Sequence, residues 1–477
     1  MSRKIYDIDP AGNVLCTYTG ESSESLRAEP TKTPPLTALF YAFLPAGFPH
    51  SVTPDYLPYQ TYDSLQAFFS SITSLLANRA VLEGLGVGDS SSSPTGALIL
   101  KIAGDTISRI ATILFAHRLG TAIEPECKFY RFLADLLNDS AQLLDLLTPA
   151  MPYFPKLGVI IGAGVLRSLC GVAANASKAS LSAHFALRGN LAELNAKEAS
   201  QETVVSLLGM LVGSLVVKVV QDKQVVWCLM LVLLGLHLTM NYWAVRSVRC
   251  RTMNRQRATM VVREWLEHGR ILSLEEVAER ESILQLNGGW FGFGRMESKS
   301  GGYTGTCEFG TYGDVKELAR WKGGYHRYEF ETDGYFMGIC HKGGNFVMRI
   351  ALKEEHQQEK KKTSSPNSPT ESGSNGASGA NSPLDAWFDA VSHAYHFDSA
   401  LKDGLESHYE NEMPLLGYAS GEQKGTVFAA LEAAGWDLET NALETRSPVR
   451  VRLGDGKKVP IPSEKDILGQ IPLSKKD

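Results

Sequence analysis

The sequence predicts a mainly α protein, a helical membrane bundle followed by a smaller cytosolic α+β domain. Three observations carry that expectation. Residues 224–245 (QVVWCLMLVLLGLHLTMNYWAV) run for 22 positions without a charge, roughly 33 Å of helix against a hydrocarbon core of ~30 Å. Residues 63–250 are patterned as helices with little strand alternation, whereas 285–353 is rich in glycine and aromatics and alternates like strands. Between the two C-terminal segments lies 357–383 (QQEKKKTSSPNSPTESGSNGASGANSP), too polar to bury a core and read as a disordered linker.

Composition sets wide limits. At 477 residues the chain exceeds the ~100–200 residues of one domain. A formal charge of −5 lacks the strongly basic footprint of a nucleic-acid binder. A mean hydropathy of −0.11 excludes a chain embedded in lipid throughout, though not one embedded in part. Seven cysteines without a CxxC pair argue against a disulfide scaffold and a structural zinc module. The opening MSRKIYDIDPAGNVLC has no signal-peptide core, so an intracellular protein is expected.

Taken in order, residues 1–37 read as an irregular segment, and prolines at 45, 49, 54 and 58 leave no room for a regular helix before about residue 60. Helices are expected at 63–83, 95–119, 128–147 and 157–185, the second capped by Ser93 with Pro94 at its first position. TVVSLLGMLVGSLVV (203–217) carries Gly209 and Gly213 at GxxxG spacing and is joined by QDKQ to the long apolar run, which suggests an antiparallel helical hairpin. Five arginines without an acid follow at once: Arg246, Arg249, Arg251, Arg255 and Arg257. Such a flank is expected on the cytosolic side of a span. Loop charges are consistent with two clear spans and up to six, both ends cytosolic, in the membrane of an intracellular organelle.

Polar residues recur along one side of the weaker helices. Lys101, Asp105 and Arg109 lie on the second, Asp135 and Asp139 on the third, and Arg167 on the fourth. On a solvated helix an i,i+4 Asp–Arg pair contributes only ~0.2–0.5 kcal/mol, whereas in a bilayer the same charges cost several kcal/mol unless paired. The expectation is that Lys101 and Arg109 face Asp135 and Asp139 and line a polar path. Ser90, Ser91, Ser92 and Ser93, in GLGVGDSSSSPTG, are anion-binding candidates at a helix start. They lack a P-loop ending and follow a helix, so a capped turn is the favoured reading. Lys178 and Lys197 have no sign of a pyridinium partner, and His393 and His396 have no further ligand nearby. No GxSxG or HExxH motif occurs in a supporting context. No enzyme activity, cofactor or metal is therefore expected.

The C-terminal part reads as a small domain. YHRYEFET and YFMGICHK-GG-NFVMRIALK alternate, with Gly343-Gly344 as a hairpin turn. Helices at 384–408 and 424–436 are expected to cover that sheet, and PVRVRL (448–453) to join it.

The stretch FLPAGFPHSVTPDYLPYQTYDSLQAFFSSITSLLANRAVLEGLGVGDSSSSPT resembles the root UVB sensitive (RUS) family, long a domain of unknown function. The resemblance continues through GDTISRIATILFAHRLG, KFYRFLADLLNDSAQLLDLLTPAMP and NLAELNAKEASQETVVSLLGMLVG to HLTMNYWAVRSVR, covering about residues 38–250. Phe48 and Phe129-Tyr130 depart from the family's usual residues. The resemblance implies a membrane-associated protein; plant relatives are linked to seedling development, UV-B response, vitamin B6 homeostasis and auxin distribution. It implies no established activity and no catalytic residues. The expected organisation is 1–37, a RUS-type membrane domain at 38–250, a C-terminal domain at 251–356 and 384–477, and the linker between. The expected function is transport or sensing of a small polar metabolite, for instance a B6 vitamer, with the bilayer, a second copy or a RUS-type protein as partners and no nucleic acid. The alternative is a non-catalytic membrane scaffold that assembles through its C-terminal domain.

Overall fold

The computed structural model describes residues 3–8, 14–20, 27–30, 43–85, 94–284, 295–297, 304–320, 326–342, 345–354, 383–402, 421–446 and 448–452. The serines at 90–93, the linker positions 357–382, the turn at 343–344 and the side chain of Lys101 lie outside what is described. The chain forms two compact units, one of residues 1–295 and 387–447, the other of 296–386 and 448–477.

The first unit opens with an antiparallel sheet of β1 (Arg3–Ile8), β2 (Val14–Gly20) and β3 (Arg27–Pro30), in that order. This corrects the expected irregular N-terminus: the β-branched and aromatic residues of KIYDI and VLCTYTG pair across the ladder, as Ile5 does with Tyr18. Helix α1 (Tyr56–Gly84) begins a full two turns before the sequence suggests. Pro58 sits in its first turn, where backbone N–H groups have no intrahelical acceptor and a proline costs nothing.

The following helices are α2 (Pro94–Ile123), α3 (Cys127–Leu147), α4 (Tyr153–Phe185), α5 (Leu191–Val219) and α6 (Lys223–Ser247), then the shorter α7 (Arg255–His268) and α8 (Leu274–Arg280). Local chemistry sets several boundaries. Asp222 caps α6 by accepting from the N–H groups of Gln224 and Val225 at 2.9 and 3.0 Å. Gly269 ends α7 at φ +67°, where a side chain would be strained. Ser273 and Glu276 form a capping box at α8.

Helix α1 is the spine of the bundle. Both α5 and α6 pack along it, while α3 lies between α1 and α4, and α2 leans on α4 alone among its substantial contacts. The expected hairpin of α5 on α6 is therefore corrected. The two are sequential neighbours, yet each packs on α1 rather than on the other. The GxxxG glycines explain the α5 contact: a Cβ on Gly209 would stand 2.8 Å from the carbonyl oxygen of Phe68 and 2.7 Å from the Ser71 Cβ. Arg79 then closes the end of α5 by donating to the carbonyls of Val217 and Val220 at 3.1 and 2.9 Å. Against α6, α1 buries Ile72, Leu76, Ala77 and Ala80 with Met230, Leu233 and Leu234.

Among the described residues, three helices are long and apolar enough to cross a bilayer: Phe154–Phe185, Leu191–Val219 and Lys223–Ser247. Their most apolar windows are only 11%, 11% and 28% buried, so most of that surface, including Leu207, Leu211, Leu215, Leu231 and Val232, faces outward.

Helix α10 (Pro383–Lys402) and α11 (Gly421–Ala433) were expected over the C-terminal sheet. Residues 387–447 instead belong to the helical unit. Trp387 Nε1 donates to Thr259 Oγ1 on α7 at 3.1 Å, Trp436 Nε1 to the Leu272 carbonyl at 3.1 Å, and Arg255 Nε to the Leu443 carbonyl at 2.7 Å. Two buried indoles with satisfied N–H groups fix that docking.

In the second unit, β4 (Arg295–Glu297), β5 (Thr304–Phe309), β6 (His326–Glu331), β7 (Tyr335–Lys342) and β8 (Asn345–Leu352) form a sheet of order β4-β5-β8-β7-β6. The β7–β8 hairpin closes in register at Lys342 opposite Asn345, and β5 runs parallel to β8. Helix α9 (Tyr312–Arg320) crosses between them and buries Val315 against Phe336 and Ala351. The described residues 448–452 meet the sheet through Val451, whose N–H donates to Leu352 O at 2.7 Å.

Candidate functional site

The interior of the helical bundle is charged along one line. Arg131, Asp135, Asp139, Gln142 and Asp145 recur every three or four residues on α3, which puts them on one face over a rise of about 21 Å. All five are buried. Between them they lean on three helices: Arg131 and Gln142 on α1, Asp135 and Asp139 on α6, and Asp145 on α4.

Arg131 is the hub. Its guanidinium donates to Asp63 Oδ1 on α1 at 2.7 Å and to both oxygens of Asp135 at 3.1 Å, and its Nε reaches the Tyr59 hydroxyl at 3.4 Å. One cation thus holds two carboxylates in the fork geometry that only arginine provides. From α6, Asn241 donates its amide to Asp135 and, at 3.4 Å, to the Arg131 carbonyl. One turn away on α6, His237 places Nδ1 2.9 Å from Asp139 Oδ2 and Nε2 4.0 Å from Asp135 Oδ2. Gln142 donates to Ser74 Oγ on α1 at 3.2 Å. Asp145 ends the line in an ion pair with Arg167 of α4.

Several acceptors in this seam are left over. The second carboxylate oxygen of Asp139 and the amide oxygens of Gln142, Asn241 and Gln66 are buried and find no donor among the described residues. A buried polar atom without a partner is costly, so such atoms mark a place for a ligand or solvent.

Asp135, Asp139 and Arg167 are in the seam. Asp105 and Arg109 are not brought to it: both are on α2 with exposed side chains, while the side chain of Lys101, on the same helix, lies outside what is described. The expected pairing of Arg109 with Asp135 is corrected, because Arg131, one turn before Asp135, takes that carboxylate first. Asp63, Arg131, His237 and Asn241 were not singled out as site residues. The signal for the last two was present: they are polar residues four apart within an apolar run.

A second buried cluster sits at the start of α3. Glu281 accepts from Lys128 Nζ at 2.7 Å and Arg257 Nε at 2.9 Å, while Asn254 donates to Glu126 at 2.9 Å. Burial pushes the Glu126 carboxyl up to about 7, aided by the neighbouring Glu281 and opposed by Arg257. Burial acts on Glu281 in the same sense, but Arg257 and Lys128 outweigh it and hold that carboxyl at about 2. The arginines read as a membrane flank are largely engaged here: Arg257 is buried on Glu281, Arg246 donates to the carbonyls of Glu279 and Glu281, and Arg249 pairs with Glu275 at 2.8 Å.

The arrangement defines a class of protein: a helical bundle with apolar outward faces and a buried seam of ion pairs between its helices. The chain belongs to the family whose model is described as the vitamin B6 photo-protection and homoeostasis domain, which matches residues 29–269 and so encloses the whole seam. It is 40% identical over 246 residues to RUS family member 1 of Dictyostelium discoideum, covering 51% of this chain and 47% of that protein. It is 36% identical over 246 residues to protein root UVB sensitive 3 of Arabidopsis thaliana, covering 51% and 56%. A third relative, protein root UVB sensitive 2, chloroplastic, of Arabidopsis thaliana, is 27% identical over 246 residues, covering 51% and 55%. The chain spans about half the length of these curated relatives. No solved structure matches it.

Proposed function

We propose that this chain is an integral membrane protein of an intracellular organelle that transports or senses a small polar metabolite, a vitamin B6 vitamer in keeping with the family's description. The observation that carries the reading is the inversion of polarity. Helices of spanning length turn leucine and valine outward, while Arg131, three aspartates and His237 are turned inward. In water that arrangement exposes a large apolar surface; in a bilayer it is the arrangement expected, since intramembrane charges face the bundle interior and mark function. The arginine cluster after α6 supports a cytosolic side for the C-terminal unit, because the positive-inside rule counts residues rather than net charge. The chemistry of the seam is recognition and pairing, and we assign the protein no catalytic step.

The test has two stages. Membranes from cells expressing the full chain are washed with alkaline carbonate, and single introduced cysteines are mapped with an impermeant thiol reagent. Retention with sided labelling is expected, and release into the supernatant would sink the membrane reading. The purified chain is then reconstituted in vesicles and assayed for uptake of pyridoxine, pyridoxamine and pyridoxal 5′-phosphate. Absence of flux and of binding for all three would remove the vitamer reading and leave the scaffold.

A further inference from the structure

The seam has an imbalance of charge and a one-sided shortage of donors. Around Arg131 the formal charges are three carboxylates, Asp63, Asp135 and Asp139, against one guanidinium, with His237 wedged between two of the carboxylates. The unsatisfied atoms tell the same story independently. Asp139 Oδ1, Gln142 Oε1, Asn241 Oδ1 and Gln66 Oε1 are all acceptors, on side chains at most 5% exposed. Each residue's other polar atom, where one is assigned, is used to hold a neighbouring helix: Asp139 on His237, Gln142 on Ser74, Asn241 on Asp135. A site whose free groups only accept, in a field of net negative charge, takes a ligand that donates and carries positive charge.

We propose that the α1–α3–α6 seam at Asp139, Gln142 and Asn241 is a cation site for a small molecule bearing a protonated amine, and that it discriminates against phosphorylated ligands. A primary ammonium supplies the donors that these acceptors lack, and a phosphate dianion meets carboxylates with no spare cation, since Arg131 is already shared by Asp63 and Asp135. No group of three or more His, Cys, Asp or Glu side chains arranged to hold a metal ion occurs among the described residues, which favours an organic ammonium over a transition metal. This deepens the reading of the preceding subsection: among B6 vitamers it singles out the amine-bearing, unphosphorylated form.

The experiment is calorimetric titration of the full chain in detergent with pyridoxamine, pyridoxine, pyridoxal 5′-phosphate, sodium chloride and potassium chloride. Pyridoxamine is expected to bind at least ten-fold tighter than either other vitamer, and Asp139→Asn to weaken it at least ten-fold with the melting temperature retained. If Asp139→Asn lowers the yield of monodisperse protein, Gln142→Leu probes the same site through a side chain whose partner is Ser74. Equal or tighter binding of pyridoxal 5′-phosphate, binding untouched by both variants, or a response to sodium or potassium without one to pyridoxamine would each overturn the proposal. Binding is read without flux, so the two readings fail separately. Pyridoxamine binding with no vesicle uptake leaves the site and removes transport, while vitamer uptake indifferent to Asp139→Asn leaves transport and removes the site.

Discussion

Arg131 and Asp63 meet at 2.7 Å between α3 and α1, their side chains 10% and 11% exposed. The distance in sequence is 68 residues, and the pair ties the spine of the bundle to the helix that carries its charges. Breaking a buried pair leaves an unpaired charge, which typically costs about 3–5 kcal/mol. Arg131→Met should therefore lower the thermal midpoint of the solubilised chain sharply, and the Arg131→Met/Asp63→Asn double variant should lower it less than the two single effects added. Additive losses would show that the pair is not coupled.

The partner of Asp135 is testable by charge exchange. Asp135→Arg combined with Arg109→Asp should recover no stability over Asp135→Arg alone, because Arg109 is exposed on α2 and Asp135 is held by Arg131 and Asn241. Recovery, read as yield of monodisperse protein, would place α2 against the seam.

Close approach of α5 to α1 depends on the absence of a side chain. Gly209→Val would drive atoms into Ser71 and the Phe68 carbonyl and should destabilise by about 1–3 kcal/mol. Gly235→Val on α6, where a Cβ meets nothing within 4 Å, is the matched control and should be near neutral. A similar loss for both would show that close packing against α1 does not govern the result, since valine is the better helix former of the two.

Glu126 should make the protein less stable as the pH rises. Its carboxyl is at about 7 folded against 4.5 unfolded, so the folded state holds the proton longer. Stability is full below about pH 4.5 and is lost as pH rises through about 7, by an amount on the order of 3 kcal/mol. Glu126→Gln should remove that fall and raise the melting temperature at pH 8 while leaving it unchanged at pH 4.5. An unchanged slope would show that Glu126 ionises freely in the fold.

Asp55 works in the opposite sense. Burial pushes its carboxyl up, but His184, 2.9 Å away, and the N–H of Arg249, at 2.7 Å, hold it at about 2 against 3.8 unfolded. Its contribution, about 2 kcal/mol, is present above pH 3.8 and lost as pH falls towards 2. Asp55→Asn should flatten that acid limb in a melting series.

The stripe on α3 was legible in part because Asp135 and Asp139 are four apart, and a period near 3.6 fixes a shared face without knowledge of the fold. What they face was not legible. Arg131 reaches Asp63 across 68 residues and Asp139 reaches His237 across 98, and no local rule encodes such pairings. The α2 charges misled for the same reason: Asp105 and Arg109 have the spacing of a stripe but no helix opposite them. His237 and Asn241 were masked by the apolar run around them, which drew the eye to length rather than to its two exceptions. The long span of α6 was the easiest element to read. Pro58 hid the start of α1, since a proline in a first turn looks in sequence like a proline in a loop. The missed strands β1 and β2 are six and seven residues long, short enough for turn residues nearby to dominate the local composition.

Because the buried polar residues on α3 each answer to a different residue, spread over three helices, the bundle writes its tertiary structure into separable pairs of positions. Among relatives, 63 should vary with 131, 135 with 241, 139 with 237 and 145 with 167, while 109 should drift independently of 135. A single helix would then account for most of the long-range covariation in the family, and the pair that breaks the pattern in a given lineage would identify where that lineage has changed what the seam accommodates.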